Sequence, residues 1–340
     1  MIFSKRNLRL FAIAGLVILL GVIAVGFWIR SGNDAPRTVR LAEAGSVWWS
    51  SAPTLVMSTK GNLNSPGMVL EKFDVLTGLA SKNAVVQGNA DIGVVSSSPL
   101  VMAIAAGEPV VVLGSYMRSS HLFAIIHAMP EQQATIHDLP VPVGFVKGTN
   151  SETYVREYLR RYGSPGDLER LDGNSVALRA NGILPSFTSG SVATVSIWEP
   201  IASEVIDASQ EGRGQDVRVI RDPDIYENWA FFVTSADTWN RRRPELLEFM
   251  ASARVAAEFI RENPGDAREL VEDHYGYKAG WLKNTWDNVD FELVTERDRL
   301  AGALTREAEL LRAHGMIGTA PNLADALRPV GDVTRSLHVR

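Results

Sequence analysis

The sequence contains no cysteine among its 340 residues. That absence excludes a disulfide, a thiolate metal site, a cysteine nucleophile and a lipid-modified N-terminal cysteine. The six histidines are scattered without the spacing of metal ligands. Signature motifs of serine hydrolases, zinc proteases, P-loop enzymes and dinucleotide-binding enzymes are missing as well. We therefore predict no metal, no cofactor and no enzymatic activity.

Long blocks of like charge are also absent. The 34 Lys and Arg residues face 39 Asp and Glu residues, a formal net charge of −5, which argues against nucleic acid as a partner. Hydrophobic residues make up 46% of the chain and charged residues 21%. This composition is typical of a globular protein, and the length favours two domains.

Residues 10–29 form a long hydrophobic run that, at about 20 residues, can cross a bilayer as one helix. Basic residues precede it, which predicts a cytoplasmic N-terminus and an extracytoplasmic remainder. A small-x-small sequence at residues 24–26 would permit cleavage, whereas residues 27–30 are typical of an interfacial anchor. We predict a membrane anchor or signal peptide at residues 1–30, with the uncleaved anchor slightly favoured, and a linker at residues 31–37.

Short β-branched runs alternate with helical patterns after the linker. This alternation favours an α/β protein with parallel, doubly wound sheets. We assign residues 38–140 to a first lobe, residues 141–230 to a second, and residues 231–340 to a return to the first lobe followed by C-terminal helices. Among these we expect a helix that begins at Pro244.

Four segments resemble a known family in their order along the chain. They read GNADIGVVSSSPLVMAIAAGEPVVVLGSY, IHDLPVPVGFVKGTNSETYVREYLRRYG, SFTSGSVATVSIWEP and AHGMIGTAPNLADAL. Together they resemble the substrate-binding proteins of ABC transporters for taurine, alkanesulfonates and nitrate, a group that includes binders of thiamine precursors. The likeness covers most of residues 38–332.

The resemblance implies a type 2 periplasmic binding protein, with two doubly wound lobes, a ligand cleft and a helical C-terminal tail. It implies a monomer, periplasmic or on the outer face of the inner membrane, that delivers a small anion or zwitterion to an ABC transporter permease. Taurine is the favoured ligand. Two alternatives stay open: a membrane-anchored ligand sensor, and an enzyme of the thiamine-pyrimidine type on the same fold.

Two polar turns are candidate ligand sites. Ser96, Ser97 and Ser98 separate an apolar strand pattern from a helix that starts near Pro99. Thr149, Asn150 and Ser151 stand at the corresponding turn of the second lobe. Each set could simply cap its helix. A helix start also offers N–H groups to an anion, and the resemblance favours ligand contact at both turns.

Aromatic residues follow several predicted strands. Any one of them fits a core position, and any one could form an apolar wall for an alkyl chain or a face for a cation. Adjacent side chains point to opposite faces of a strand, so at least one residue of the first pair should be exposed or in the cleft. The candidates are Trp48, Trp49, Tyr116, Trp198 and Trp229.

Glu199 lies between Trp198 and Pro200 in an apolar stretch. A buried carboxylate there needs a partner. The partner could be Arg179 or Arg118, or it could be an amino group on the ligand. The second interpretation, combined with two anion-binding turns, suggests a zwitterion such as taurine.

Overall fold

The computed structural model describes residues 37–45, 52–60, 67–128, 139–213 and 216–328. Within these ranges, no helix combines the length and the apolar character needed to cross a membrane. The predicted N-terminal anchor or signal lies outside the described residues. Apart from residues 37–38 and 67–69 at the start of two strands, the described chain belongs to one compact unit.

One five-stranded sheet contains β1 (Arg37–Glu43), β2 (Met68–Asp74), β3 (Ile92–Ser96), β4 (Val110–Ser119) and β10 (Asn228–Ser235). Its order is β2-β1-β3-β10-β4. β1 and β3 are parallel, with Leu41 beside Ile92. β10 runs antiparallel to both β3 and β4. The interior strands are buried almost throughout, as their continuous apolar runs predict.

The other five-stranded sheet contains β5 (Phe123–Ala128), β6 (Val143–Phe145), β7 (Ser175–Ala177), β8 (Thr194–Trp198) and β9 (Val217–Ile220). Its order is β7-β6-β8-β5-β9. β6 is parallel to β7 and β8, and β5 is antiparallel to β8 and β9. β5 precedes the predicted lobe boundary at residue 140 yet belongs to this second sheet.

Each sheet is mixed, whereas the alternation of strands and helices in the sequence favoured parallel sheets. The antiparallel strands β5 and β10 are those that follow a passage of the chain from one sheet to the other. Those passages, residues 120–122 and 221–227, contain no helix. Neither passage is a helical crossover of the kind that joins neighbouring parallel strands within one sheet.

Helices connect and cover the strands. The described helices are α1 (Ala52–Thr59), α2 (Gly78–Val86), α3 (Ser97–Ala105), α4 (Asn150–Tyr162), α5 (Asp167–Gly173), α6 (Ile183–Thr188), α7 (Ile201–Arg213), α8 (Ala236–Glu262), α9 (Pro264–Tyr275), α10 (Lys283–Trp286), α11 (Arg297–Ala313) and α12 (Leu323–Ala326), with a 3₁₀ helix at Ala180–Gly182.

The C-terminal region is helical, but α8 starts earlier than the sequence predicts. Ser235 caps it, since its Oγ accepts a hydrogen bond from the Thr238 N–H at 3.1 Å. Arg242 has a non-helical backbone with φ −128° and ψ 26°. The helix bends there because the ring of Pro244 is incompatible with a straight helix. Pro244, which in the sequence suggests the start of a helix, therefore marks a kink inside α8.

The helix α11 packs against the first sheet through an apolar cluster that includes Val95, Phe231, Leu304 and Leu311. Each such buried side chain stabilises the fold by about 1.5–3 kcal/mol. Leu304 and Leu311 lie two turns apart on one helix face, and Glu307 lies between them on that same face. The packing therefore carries a carboxylate into the interior, beside the start of α3.

Candidate functional site

A cavity lies where the starts of α2, α3 and α4 meet the ends of β1 and β8. It contains about 390 Å³ of space, part of it open to solvent. Both sheets contribute to its walls. The lining residues are Ala44, Thr77, Gly78, Leu79, Ser96, Pro99, Phe123, Thr149, Asn150 and Trp198.

The start of α2 follows β2 through a threonine cap. Thr77 Oγ1 accepts a hydrogen bond from the Ala80 N–H at 3.1 Å. A Cβ at Gly78 would lie only 3.2 Å from the Val95 Cα, so glycine lets this helix start close to β3. The first N–H groups of a helix lack partners within it, and Gly78 and Leu79 of this first turn line the cavity.

The start of α4 is capped by Thr149, whose Oγ1 accepts from the Ser151 N–H at 3.3 Å and donates to the Val146 carbonyl at 2.7 Å. The first turn contains Glu152, and this carboxylate is already engaged. It accepts from the Gly148 N–H at 2.9 Å and from Arg156 at 3.1 Å. Thr149 and Asn150, at the start of this helix, line the cavity.

The cavity walls carry no charged side chain among the residues that the structure describes. The first turns of α2 and α3 contain no acidic residue. Three helix starts therefore bring partial positive charge to a space without a formal charge of either sign. Such an arrangement suits a small anion, because its oxygens can accept from several N–H groups without meeting a carboxylate.

Apolar side chains complete the cavity. Trp198 at the end of β8 is 8% exposed and Phe123 at the start of β5 is 5% exposed, and Leu79 and Pro99 lie on the opposite lobe's wall. These groups can contact a hydrocarbon portion of a ligand. Of the aromatic candidates from the sequence, Trp198 is the described residue that lies at this cavity.

The three serines of the first turn have different surroundings. Ser96 lines the cavity, and its Oγ donates to Asn150 Oδ1. Ser97 and Ser98 are buried and both donate to Glu307 of α11, with a distance of 2.9 Å from Ser97 Oγ to Glu307 Oε2. Capping alone does not explain the triplet, because two of its hydroxyl groups bind an internal carboxylate.

Tyr226 completes this buried polar cluster. Its hydroxyl donates to Glu307 Oε2 at 2.8 Å and accepts from Asn150 Nδ2. Burial raises the pKa of Glu307 above its ordinary range and raises the pKa of Tyr226 well above its own. Asn150 therefore joins the cavity wall to an ionisable group behind it.

Glu199 is buried, 2% exposed, and its partners belong to the protein. Its side chain forms an ion pair with Arg221 and accepts from the Ser203 N–H at 3.0 Å, which caps α7. The ion pair is therefore with Arg221 and not with Arg179 or Arg118, the two partners considered from sequence, and Arg118 binds Asp290 at 2.7 Å. The carboxylate that suggested an ammonium group on the ligand is already neutralised, and it does not line the cavity.

Three further predicted residues lie away from the cavity. Tyr116 is fully buried and stacks on Phe232 with ring centroids 4.4 Å apart. Trp229 belongs to the apolar cluster under α11. Ser151 is fully buried, and its Oγ accepts from the Val146 N–H at 3.1 Å. Trp48 and Trp49 lie outside the described residues.

Sequence reasoning missed the α2 wall. The signal was present, because Thr77 and Gly78 come shortly after the strand β2 and stand at the start of a helix, as the two chosen turns do after their strands. Phe123 was missed for another reason. It is the first residue of an apolar strand, and only the pairing of β5 with β8 places it opposite Trp198.

Comparison with known proteins identifies the family. A family model described as NMT1/THI5 like matches residues 50–267. The chain belongs to the NMT1/THI5-like family. No curated protein sequence matches this NMT1/THI5-like protein.

Solved structures of periplasmic binding proteins share the fold of this NMT1/THI5-like chain. The aliphatic sulphonate binding protein SsuA of Escherichia coli has a TM-score of 0.68 and 19% identity, covering 86% of this chain and 93% of that chain. The alkanesulfonate-binding protein SsuA of Xanthomonas axonopodis pv. citri, bound to MOPS, has a TM-score of 0.66 and 15% identity, covering 86% of this chain and 98% of that chain. The nitrate-binding protein NrtA of Synechocystis has a TM-score of 0.61 and 12% identity, covering 89% of each chain. The predicted fold and family resemblance are confirmed.

Proposed function

We propose that this protein binds a small anion, with a sulfonate as the favoured class, and delivers it to an ABC transporter permease. The observation that carries the proposal is the uncharged cavity at three helix starts. A sulfonate or nitrate places several oxygens around one centre, and these can accept from N–H groups of more than one helix. The aromatic wall at Phe123 and Trp198 suits the alkyl portion of a sulfonate.

Taurine remains a specific candidate, with reduced support. Glu199 was the reason to expect an ammonium group, and that carboxylate binds Arg221. An ammonium group would therefore have to be recognised by uncharged acceptors. Alkanesulfonates without an amine are also compatible with the described walls, which carry no charged side chain.

Delivery to a permease involves closure of the lobes around the solute, with the closed form recognised at the membrane. The sulfonate- and nitrate-binding structures with this fold support an extracytoplasmic location. The hydrophobic run at residues 10–29 supports membrane attachment at its outer face. We propose that the protein acts as a monomer.

Binding without turnover is favoured over the thiamine-pyrimidine enzyme. That reaction would need a reactive histidine or lysine at the cavity, and the described walls contain neither. Lys147, which precedes the second polar turn by two residues, is exposed and is not part of the lining.

The test is titration calorimetry with the full chain in detergent, against ethanesulfonate, butanesulfonate, taurine, nitrate and an aminopyrimidine thiamine precursor. One-to-one binding of at least one anion is expected, with each recovered unchanged. Conversion of the aminopyrimidine would establish the enzyme. Binding of none of the anions by folded protein would contradict the proposal and favour a sensor for another solute.

A matched pair of variants tests the role of the helix starts. Leu79→Glu places a negative charge at the start of α2, where the anion is expected, and should weaken anion binding by about 100-fold or more. Leu79→Gln has nearly the same shape without the charge and should bind within several-fold of the parent. Equal losses in both variants would show that shape, and not charge, accounts for the effect.

A further inference from the structure

In the buried cluster behind the cavity, one carboxylate determines which groups donate hydrogen bonds and which accept them. Glu307 accepts from Ser97, Ser98 and Tyr226. At a pH above its raised pKa, Glu307 is ionised and can only accept, so there each hydroxyl group uses its single proton on Glu307. The oxygens of Ser97 and Tyr226 can then face any other neighbour only with lone pairs.

Asn150 is that neighbour. Its Nδ2 donates to Ser97 Oγ at 3.1 Å, to Tyr226 and to Asn228 Oδ1 at 2.9 Å. Because these groups present acceptors, the amide must point its NH₂ group into the cluster. Its Oδ1 is thereby turned toward Ser96.

Asn228 shows independently that this orientation dominates the cluster. It is fully buried, and its Nδ2 has no hydrogen-bond partner among the described residues. A buried donor without a partner destabilises a fold by about 1–3 kcal/mol. Presenting that NH₂ group to Asn150 would remove the cost, but it would require Asn150 to offer its oxygen. The orientation of Asn150 is therefore set by the hydrogen bonds that lead to Glu307.

The consequence reaches the cavity wall through Ser96. Its hydroxyl proton is donated to Asn150 Oδ1, so the Ser96 oxygen faces the cavity as an acceptor. We infer that Glu307 is a positioning residue which, through Tyr226, Ser97 and Asn150, makes Ser96 an acceptor, and that the ligand carries a hydrogen-bond donor beside its anionic group. This inference rests on the proposed anion-binding function and adds a hydroxyl or amino group to the ligand.

Two ligands of nearly equal size test the acceptor. 2-Hydroxyethanesulfonate has a hydroxyl donor near its sulfonate, and ethanesulfonate lacks it. Calorimetry with the full chain at pH 8 should show about tenfold tighter binding of the hydroxylated ligand, the value of one buried hydrogen bond. Ser96→Ala should reduce the ratio to about one. Equal affinities in the parent protein would overturn the inference.

Glu307→Gln tests the chain of hydrogen bonds. The glutamine amide can donate to Tyr226 or Ser97, so their protons become free to turn toward Asn150. The Asn150 amide can then reverse, and Ser96 becomes a donor. The preference for 2-hydroxyethanesulfonate should fall from about tenfold to about one. A parallel weakening of both ligands with an unchanged ratio would show a merely structural role.

Glu272→Gln is the matched control. Glu272 is a buried helical glutamate on α9 that accepts from the Gly280 and Leu282 N–H groups, each at 2.8 Å. The same substitution there should leave the ligand ratio unchanged. If Glu307→Gln does not fold, Tyr226→Phe interrupts the same chain and should lower the ratio by about threefold or more.

A measurement without ligand separates failure of this inference from failure of the proposed function. In the full chain labelled with ¹⁵N-asparagine, the side-chain amide signals of Asn150 should shift in Glu307→Gln and stay in place in Glu272→Gln. Unshifted signals would overturn the inference even if sulfonates bind. Absence of sulfonate binding together with the expected shift would overturn the ligand part of the inference and the proposed function, and would retain the role of Glu307.

Discussion

The two turns that face the cavity have similar sequences but divide their polar residues differently. At the start of α3, Ser96 reaches the cavity while Ser97 and Ser98 bind Glu307. At the start of α4, Thr149 and Asn150 reach it while Ser151 bonds the backbone of Val146. Successive side chains at a helix start point about 100° apart. In each polar triplet, therefore, some side chains line the cavity and others point into the interior.

The charges behind the two turns differ as well. The start of α3 already has an internal carboxylate, Glu307, bound by the hydroxyl groups of Ser97 and Ser98 in its first turn. The start of α4 has Glu152, which is compensated by Arg156. The starts of α2 and α4 should therefore contribute more to holding an external anion than the start of α3.

The largest effect is expected when the two turns are uncoupled by Asn150→Ala. This change removes the acceptor of Ser96 and the donor to Tyr226 and Asn228. We expect the free energy of unfolding to fall by about 2–4 kcal/mol, because several buried groups lose a partner. Anion affinity should fall by about 100-fold. Urea unfolding and calorimetry measure the two losses, and a small change in both would show that the turns act independently.

A smaller effect is expected from Ser97→Ala, which alters only the interior side of the first turn. Glu307 and Asn150 each lose one partner, so the free energy of unfolding should fall by about 1–2 kcal/mol. Ser97 does not line the proposed anion cavity, so ethanesulfonate affinity should change by less than about threefold. Ser151→Ala is the corresponding change at the second turn and should behave alike. A loss of affinity without a loss of stability would place Ser97 at the ligand.

The smallest effect concerns pH and two buried glutamates. Burial raises the pKa of Glu307. Burial also opposes ionisation of Glu157 on α4, but hydrogen bonds from Arg160 and His314 lower its pKa to about 2. Protonated Glu307 thus stabilises the fold at low pH, and this contribution is lost as pH rises through its raised pKa. The contribution of Glu157 is present above its ordinary pKa and lost as pH falls toward 2.

Urea unfolding of Glu307→Gln and Glu157→Gln between pH 2 and pH 8 measures this contrast. Relative to the parent protein, Glu307→Gln should become more stable as pH rises, whereas Glu157→Gln should become less stable. Parallel curves would contradict the opposite pKa directions.

Much of the architecture was accessible from sequence because it depends on local patterns. The apolar runs of β3 and β10 and the helix stop at Gly163 after α4 follow from residue type and spacing. The antiparallel strands β5 and β10 were not accessible, since their direction depends on how short connections pass between sheets. Glu199 was misjudged for a related reason. Its partner Arg221 is 22 residues away in sequence, and no local pattern connects them.

The sequence by itself determined that polar turns end apolar strands and that each precedes a helix, because capping and strand preference are properties of a few neighbouring residues. It also carried the family resemblance. Only the tertiary structure decided which hydroxyl group of each triplet faces the cavity, and that Glu307, 209 residues after Ser98, lies behind the first turn. The reason is physical: the hydrophobic packing of α11 against the first sheet selects the face that is buried, and the buried carboxylate then orients every hydroxyl group within reach.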